Sequence, residues 1–208
     1  MKMSNNLKAL TKEHHDNAER TEFADMLLGG NIPPRLYQQY LHAQLANYSA
    51  LESVVEVPME LESIFRSTQI EEDLVELEAT YDLDEIEEQL RSVIQYEKHV
   101  NILAEKNNTD GLLAHLYVRH FGDAHGGQII KRNIPGSGQM YEFEDRKALI
   151  AGVRELLHDG MEEEAKHCFE FAESMFHELI EMYHENPEDY DSSDTILAEA
   201  MPNDHYDS

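Results

Sequence analysis

The chain has 208 residues, of which 41% are hydrophobic, enough for one domain with a buried core and too many for a disordered protein. Its formal net charge of −27 argues against nucleic acid or an anionic membrane surface as a partner, because both bind clustered Lys and Arg side chains. The only cysteine, Cys168, excludes an internal disulfide and is expected to pack between helices in a reducing compartment.

Apolar residues recur at helical spacing along most of the chain, and no stretch alternates as a strand would. A first helix is predicted from Asn5 or Asn6 to the Gly29-Gly30 break, and a second follows the prolines of "NIPP" over residues 35–56. Further helices are predicted over 67–81, 83–106, 112–132, 145–158 and 161–185. The prediction is therefore an all-α, single-domain bundle of about seven or eight helices.

Charge is distributed unevenly along the chain. Residues 111–135 carry three basic residues and one acidic residue, whereas residues 185–208 carry eight acidic residues and none that is basic. We therefore expect a folded domain over residues 1–184 and an acidic, flexible tail over residues 185–208. No apolar run approaches the ~20 residues that a membrane span needs, and the first residues lack the apolar core of a secretory signal.

The first helix places four chemically distinct side chains on one face. Lys8, Lys12 and His15 follow one another at intervals of four and three residues, and Glu19 lies one turn beyond His15. Two ammonium groups suit a ligand with two carboxylates, and an imidazole oriented through its second nitrogen suits a metal. An ordinary solvated helix face with i,i+4 pairs is the alternative.

The predicted helix over 112–132 contains three glycines, each of which costs about 1 kcal/mol relative to alanine in an exposed helix. Bare backbone at Gly122, Gly126 and Gly127 would let a broad, flat group lie against the helix, or would let another helix approach closely. Asp123 lies beside this gap in an apolar segment, so it needs a hydrogen-bonding network unless it is at the surface.

One pair has the spacing of a di-iron helix. Glu164 and His167 are three residues apart, but Glu173 with His177 and Glu181 with His184 lie on the same predicted helix and cannot face it across a bundle. The sequence alone therefore does not predict a di-iron site.

Together, "LKALTKEHHDNAERTEF" and "YVRHFGDAHGGQIIK" resemble the two defining helices of the heme oxygenase family. The first resembles the proximal helix, with its Lys-x3-Lys-x2-His pattern and an acid four residues later, and the second resembles the family signature on the distal helix. Their order and their separation of about a hundred residues also fit. Weaker similarity extends the resemblance over most of residues 7–184, which would form a heme oxygenase-like catalytic domain.

The resemblance implies roles for residues of the proximal side. His15 would be the ligand to heme iron, with Glu19 as the acceptor at its second nitrogen. Lys8 and Lys12 match the basic residues near the heme propionates, and Arg154 matches an arginine that pairs with a propionate. This last assignment is open, because Ile150 replaces a lysine usual in the family and Arg146 or Lys147 could substitute.

For the distal side, the resemblance implies that Asp123 holds a water network next to iron-bound oxygen. Tyr48 would hydrogen-bond that aspartate, Tyr117 and Arg119 occupy the family's tyrosine and arginine positions, and the glycines would let the helix press close to the ring. His125 replaces a serine common in relatives. It could join the water network or point outward, and we expect it to point outward.

The implied reaction uses heme as both cofactor and substrate and converts it, with O2 and an external reductant, into biliverdin, carbon monoxide and Fe2+. We predict cleavage at the α meso carbon. The expected setting is a monomer of the cytoplasm, or of the plastid stroma after removal of a transit peptide, without a membrane anchor. Ferredoxin is the expected electron donor, docking at Lys131-Arg132 and Arg146-Lys147, and a bilin reductase could act downstream.

Two other functions remain open at this point. A non-catalytic heme carrier or sensor on the same fold would share the proximal features, although Asp123 and the glycines argue against it. A helical enzyme of similar architecture, of the thiaminase or quinone-cofactor type, would not bind heme.

Overall fold

A computed structural model describes residues 6–190 of the chain. Its α-helices are α1 (Leu7–Leu10), α2 (Lys12–Glu19), α3 (Glu22–Gly29), α4 (Pro34–Glu52), α5 (Ser67–Tyr81), α6 (Arg91–Glu105), α7 (Thr109–Leu116), α8 (Gly122–Ile130), α9 (Arg146–Leu156) and α10 (Glu162–Glu185). A π-helical segment, Tyr117–Phe121, joins α7 to α8 without a break. If α1 and α2, which only Thr11 separates, are counted together, residues 6–190 form eight helical rods and no strand, which confirms the all-α prediction.

Two threonines divide the first predicted helix. Thr11 separates α1 from α2, and its hydroxyl donates to the Leu7 carbonyl. Thr21 is extended and its hydroxyl accepts a hydrogen bond from the Ala24 amide, so it caps α3 at its N-terminus. The apolar periodicity continues across both threonines, so periodicity alone could not locate these breaks.

The helix predicted over residues 83–106 is wrong for its first turns, because α6 begins only at Arg91. Both oxygens of the Glu178 carboxylate accept hydrogen bonds from the first α6 amides, those of Arg91 at 2.8 Å and Ser92 at 2.9 Å. This cap comes from α10, far along the chain, and it satisfies amides that would otherwise lack partners. A contact of that kind leaves no mark in the local sequence.

Two apolar clusters fill the bundle. One lies around α3, α4 and α5, and includes Phe23, Tyr40, Leu74, Met140 and Leu179. The other lies around α6, α7 and α9, and includes Leu51, Tyr96, Leu116, Val153 and Met161. Helices α4 and α10 contribute to both, so they connect the two halves. Cys168 belongs to the second cluster and is fully buried, as expected, and burial raises its pKa to about 12.

Packing continues past the predicted start of the tail at Glu185. A turn of 3-10 helix, Pro187–Tyr190, follows α10, and Tyr190 is buried with its hydroxyl donating to Gln39 at 2.8 Å. One aromatic side chain therefore anchors the first residues after the helix to the bundle. The remainder of the predicted tail lies outside the described residues.

No helix between residues 6 and 190 combines the length and the apolarity required to cross a lipid bilayer.

Candidate active site

Helix α2 presents an imidazole at the surface of the bundle. The His15 side chain is 53% exposed, and its Nδ1 lies 3.4 Å from a Glu19 carboxylate oxygen. The edge of the ring faces Phe169 of α10, with 5.8 Å between the ring centroids. Because a carboxylate at Nδ1 fixes the tautomer with Nδ1 protonated, Nε2 is the nitrogen available to a metal. The predicted His15–Glu19 pairing is therefore present.

The two lysines of this face differ in their surroundings. The Lys12 ammonium donates to Asp16 at 2.5 Å, one turn further along α2, and its side chain is largely exposed. Lys8 is also exposed. Burial lowers the pKa of His125 on the distal helix, and the positive charge of Lys8 lowers it further.

The π-helical segment changes the direction in which the distal helix presents its residues. A π-turn inserts one extra residue per turn, so side chains that follow it are rotated relative to those of α7. Such segments are frequent at functional sites because they expose backbone or re-aim a side chain. The segment lies immediately before Gly122 and Asp123, where the sequence predicts the ligand-facing surface.

The three signature glycines have two different roles. A Cβ added at Gly122 or at Gly126 would have no other heavy atom within 4 Å, so both glycines present bare backbone to open space. A Cβ at Gly127 would lie 2.3 Å from the ring of Tyr141, which is fully buried. The absence of a side chain at Gly127 is therefore needed for close packing against an aromatic ring, and its contact with a ligand stays a prediction.

Asp123 sits in a polar network at the end of the π-segment. The Tyr48 hydroxyl donates a hydrogen bond to its carboxylate. Burial raises the pKa of Asp123 to about 7, although the Tyr48 bond and the charges of Arg119 and Arg66 work in the opposite direction. Burial and the neighbouring carboxylate hold the pKa of Tyr48 well above its ordinary value, so the phenol remains a hydrogen-bond donor. Asp123 thus exchanges a proton near neutral pH.

Arg119 lies inside the bundle. Its guanidinium donates to the Gln44 side chain at 3.1 Å and lies over the Tyr96 ring, 4.0 Å from the centroid. Its influence on the distal site is electrostatic, because its charge favours the ionised form of Asp123. Tyr117 is half-buried, its ring lies against that of Phe121 with 5.4 Å between the centroids, and burial raises its pKa.

Residues that the sequence pattern does not single out support Tyr48 from behind. His120 is fully buried and its Nε2 lies 2.8 Å from the Glu52 carboxylate, while its ring lies 4.4 Å from that of Tyr48. Glu52 also accepts the Arg66 amide at 2.6 Å, so these residues form one connected support for Tyr48. His120 lies within the signature, but nothing near it in the sequence indicates its partners, because Glu52 and Tyr48 lie far earlier in the chain.

A cationic edge lies beside the open glycines. His125 is exposed, as expected, its ring packs against Phe121 with 4.2 Å between the centroids, and it accepts a hydrogen bond from Arg154 at 3.3 Å. Arg146 donates to the Ala124 carbonyl at 3.4 Å, and its charge also reaches His125. Both arginines between which the sequence left a choice therefore lie against α8. Together with Lys8 they provide positive charge where an anionic ligand would need it.

This donor set fits a flat, anionic, metal-bearing ring. Bare backbone at Gly122 and Gly126 offers a surface without protruding side chains, His15 offers an imidazole nitrogen, and the cationic edge offers partners for carboxylates.

Known proteins of similar sequence belong to one family. A family model described as Heme oxygenase matches residues 1–185. Heme oxygenase 2 of Macaca fascicularis is 31% identical over 213 residues, covering 85% of this chain and 65% of that protein. The heme oxygenase of Rhodella violacea is 31% identical over 155 residues, covering 66% and 64% of the two chains. The chain spans about half to two thirds of the length of such curated relatives.

Solved structures share the fold. Heme oxygenase-1 of the cyanobacterium Synechocystis, in complex with heme, superposes with a TM-score of 0.72 at 24% identity, covering 88% of this chain and 96% of that one. The heme oxygenase of Leptospira interrogans gives a TM-score of 0.70 at 24% identity, covering 82% and 96%.

Proposed function

The chain belongs to the heme oxygenase family, and on that premise we propose that it cleaves heme to biliverdin, carbon monoxide and Fe2+ with O2 and an external reductant. The observation that carries the proposal is the pairing of two sites. On α2, Glu19 orients the His15 imidazole so that Nε2 is available to a metal. On the distal helix, Asp123 accepts a hydrogen bond from Tyr48 and lies beside the bare backbone of Gly122 and Gly126.

On the proximal side, His15 Nε2 would hold the iron and Glu19 would keep Nδ1 protonated. When bound, heme supplies the iron at which O2 is reduced and the porphyrin edge that is oxidised. A neutral imidazole donates less electron density to iron than a thiolate, and so favours O–O bond cleavage less. With an imidazole ligand, the distal residues would therefore decide whether the O–O bond is cleaved or the porphyrin edge is oxidised.

On the distal side, Asp123 would orient water and hold the proton that the reaction consumes. Its pKa of about 7 means that protonated and ionised forms are both populated at neutral pH. Tyr48 donates to the carboxylate and fixes its orientation. Gly122 and Gly126 would let the helix backbone lie against the ring, so that reacting atoms have little lateral freedom.

The cationic edge would set the rotation of the ring within the site. Lys8, Arg154 and Arg146 offer charges to the two propionates, and a ring held by that edge presents one meso carbon to Asp123. We expect this to be the α carbon. Lys12, already paired with Asp16, would contribute more weakly.

We expect ferredoxin to supply the electrons and a bilin reductase to use the biliverdin product.

The decisive experiment mixes the purified chain with heme, ferredoxin and ferredoxin reductase under O2, and identifies the product by absorbance and chromatography. Loss of the Soret band with appearance of biliverdin α supports the proposal. A stable Soret band without bilin would instead identify a heme carrier or sensor, and no Soret band at all would exclude a heme protein.

A further inference from the structure

Four side chains from three helices converge at a place separate from the network of Asp123. They are His99 of α6, His115 of α7, and Glu164 and His167 of α10. The Nε2 atoms of His99 and His115 both contact the same Glu164 carboxylate oxygen, His115 at 3.2 Å. His167 Nδ1 lies 3.7 Å from that oxygen. One donor atom each of His99, His115 and Glu164 lie within 4.8 Å of one another.

The hydrogen bonds alone do not account for the whole cluster. They satisfy His99 and His115, but His167 Nδ1 is too far from the oxygen for a hydrogen bond. The rings of His99 and His167 nevertheless lie against each other, 4.5 Å between centroids, and Phe171 stacks on His167. Three imidazoles are thus held around one carboxylate oxygen, with the third positioned by packing.

The cluster extends from the core to solvent. The His115 side chain is fully buried, whereas 43% of the His167 side chain is exposed. A small ion could therefore approach from solvent at His167 and reach the buried imidazole of His115.

A further contact orients the buried imidazole. His115 Nδ1 lies 3.2 Å from the Tyr96 hydroxyl, whose oxygen can accept a hydrogen bond from Nδ1–H when Nε2 binds a metal.

We propose that His99, His115 and Glu164 form a binding site for a divalent first-row transition-metal ion, with Zn2+ the best match and His167 beside it on the solvent side. Two imidazole nitrogens and one carboxylate oxygen are donors found in zinc sites, and they provide three ligands for a tetrahedral ion whose fourth position is open. The Arg119 guanidinium is a cation on the far side of the Tyr96 ring, over which it lies, and the Glu164 carboxylate supplies the opposite charge within the cluster. The site does not depend on heme cleavage.

The test is a Zn2+ titration of the full-length, tag-free, heme-free chain in competition with a chromophoric chelator. We expect one ion per chain, and Co2+ in its place should give the visible absorption bands of a four-coordinate nitrogen and oxygen site. His99→Ala should weaken binding by about 100-fold, and His167→Ala should weaken it by a smaller factor because His167 lies beside the three donors. His177→Ala, on an exposed part of α10, should leave binding unchanged.

The titration is repeated on His15→Ala, because His15, Asp16 and Glu19 form a second, exposed group of donors. Thermal unfolding provides an independent readout, since an ion that binds the folded chain raises its midpoint. Zn2+ should raise the midpoint of the wild-type and His15→Ala chains, and not that of the His99→Ala/His167→Ala chain. If the wild type bound Zn2+ no more tightly than this double variant, the cluster would be a hydrogen-bonded group only and the proposal would be wrong.

Discussion

At the residue scale, the behaviour of Asp123 follows from two opposing effects. Removal from water disfavours the carboxylate, whereas the Tyr48 hydroxyl and the charges of Arg119 and Arg66 favour it. Burial is the larger effect, so the pKa rises to about 7 despite three favourable partners. The sequence shows an acid in an apolar segment, but only the structure shows which of these effects dominates.

Removal of this carboxylate should redirect the chemistry. For Asp123→Ala we expect the rate of biliverdin formation to fall by about 100-fold, with peroxidase-type oxidation of an added phenol in its place, because the proton is no longer delivered at a fixed position. Product analysis with heme and a reductant measures both reactions. Asp25→Ala, an exposed acid on α3, is the control. An unchanged biliverdin yield in Asp123→Ala would remove Asp123 from the mechanism.

The same pKa predicts how stability depends on pH in the heme-free protein. The folded-state pKa of about 7 is above the unfolded value of about 3.9, so the folded chain retains a proton that the unfolded chain has lost. Stability relative to Asp123→Asn should therefore decrease as pH rises from about 4 to 7. Urea unfolding of both chains across this range measures the difference. A difference independent of pH would show that Asp123 titrates normally.

His15 can be distinguished from its neighbour on α2. We expect His15→Ala to lose the spectrum of histidine-ligated ferric heme, and added imidazole to restore it, because the missing ligand is a single imidazole nitrogen. His14→Ala should keep the wild-type spectrum, since His14 Nε2 faces Glu170, at 3.8 Å, on α10. Retention of the wild-type spectrum by His15→Ala would exclude His15 as the iron ligand.

At the element scale, the distal helix shows how identical residues acquire different roles. Gly126 and Gly127 are neighbours, yet one faces open space and the other faces the buried ring of Tyr141. Their spacing in the sequence indicates an unusual helix surface without showing which glycine meets protein. The Tyr141 ring is brought there by the short Gln139–Tyr141 turn, whose amides bind the Asp73 carboxylate of α5.

Alanine substitutions separate the two kinds of glycine. Gly127→Ala should lower the free energy of unfolding by about 1–3 kcal/mol, because the added methyl overlaps the Tyr141 ring. Gly122→Ala should leave it unchanged or raise it by up to about 1 kcal/mol, since the methyl meets no neighbour and helix propensity improves. The same substitution should weaken heme binding. Urea unfolding and heme titration measure both quantities, and equal destabilisation by the two substitutions would contradict this assignment.

At the scale of the whole molecule, a net charge of −27 leaves few places where an acidic electron donor could dock. Two of the four predicted docking cations already have partners. Lys131 pairs with Glu142, and Arg146 donates to the Ala124 carbonyl. Arg132 and Lys147 are exposed, so they are the members of the two pairs best placed to meet a partner.

Charge reversal at both positions tests this docking surface. Arg132→Glu with Lys147→Glu should lower ferredoxin-driven turnover about tenfold at low ionic strength, and the deficit should shrink as salt screens the charges. Heme affinity should be unaffected. Lys98→Glu, an exposed lysine on α6, is the matched control. Unaltered turnover and salt dependence in the double variant would place the donor elsewhere.

The sequence by itself determined the helical architecture, because apolar spacing is a local property that survives in any environment. It also determined the pairing of His15 with Glu19, because residues four apart on a helix must be neighbours. Only the tertiary structure decided the start of α6, the packing of Gly127, the pKa of Asp123 and the gathering of His99, His115 and Glu164. Each of these features depends on a side chain from a distant part of the chain. That side chain acts only after folding has brought it into contact with its partner and displaced the water between them.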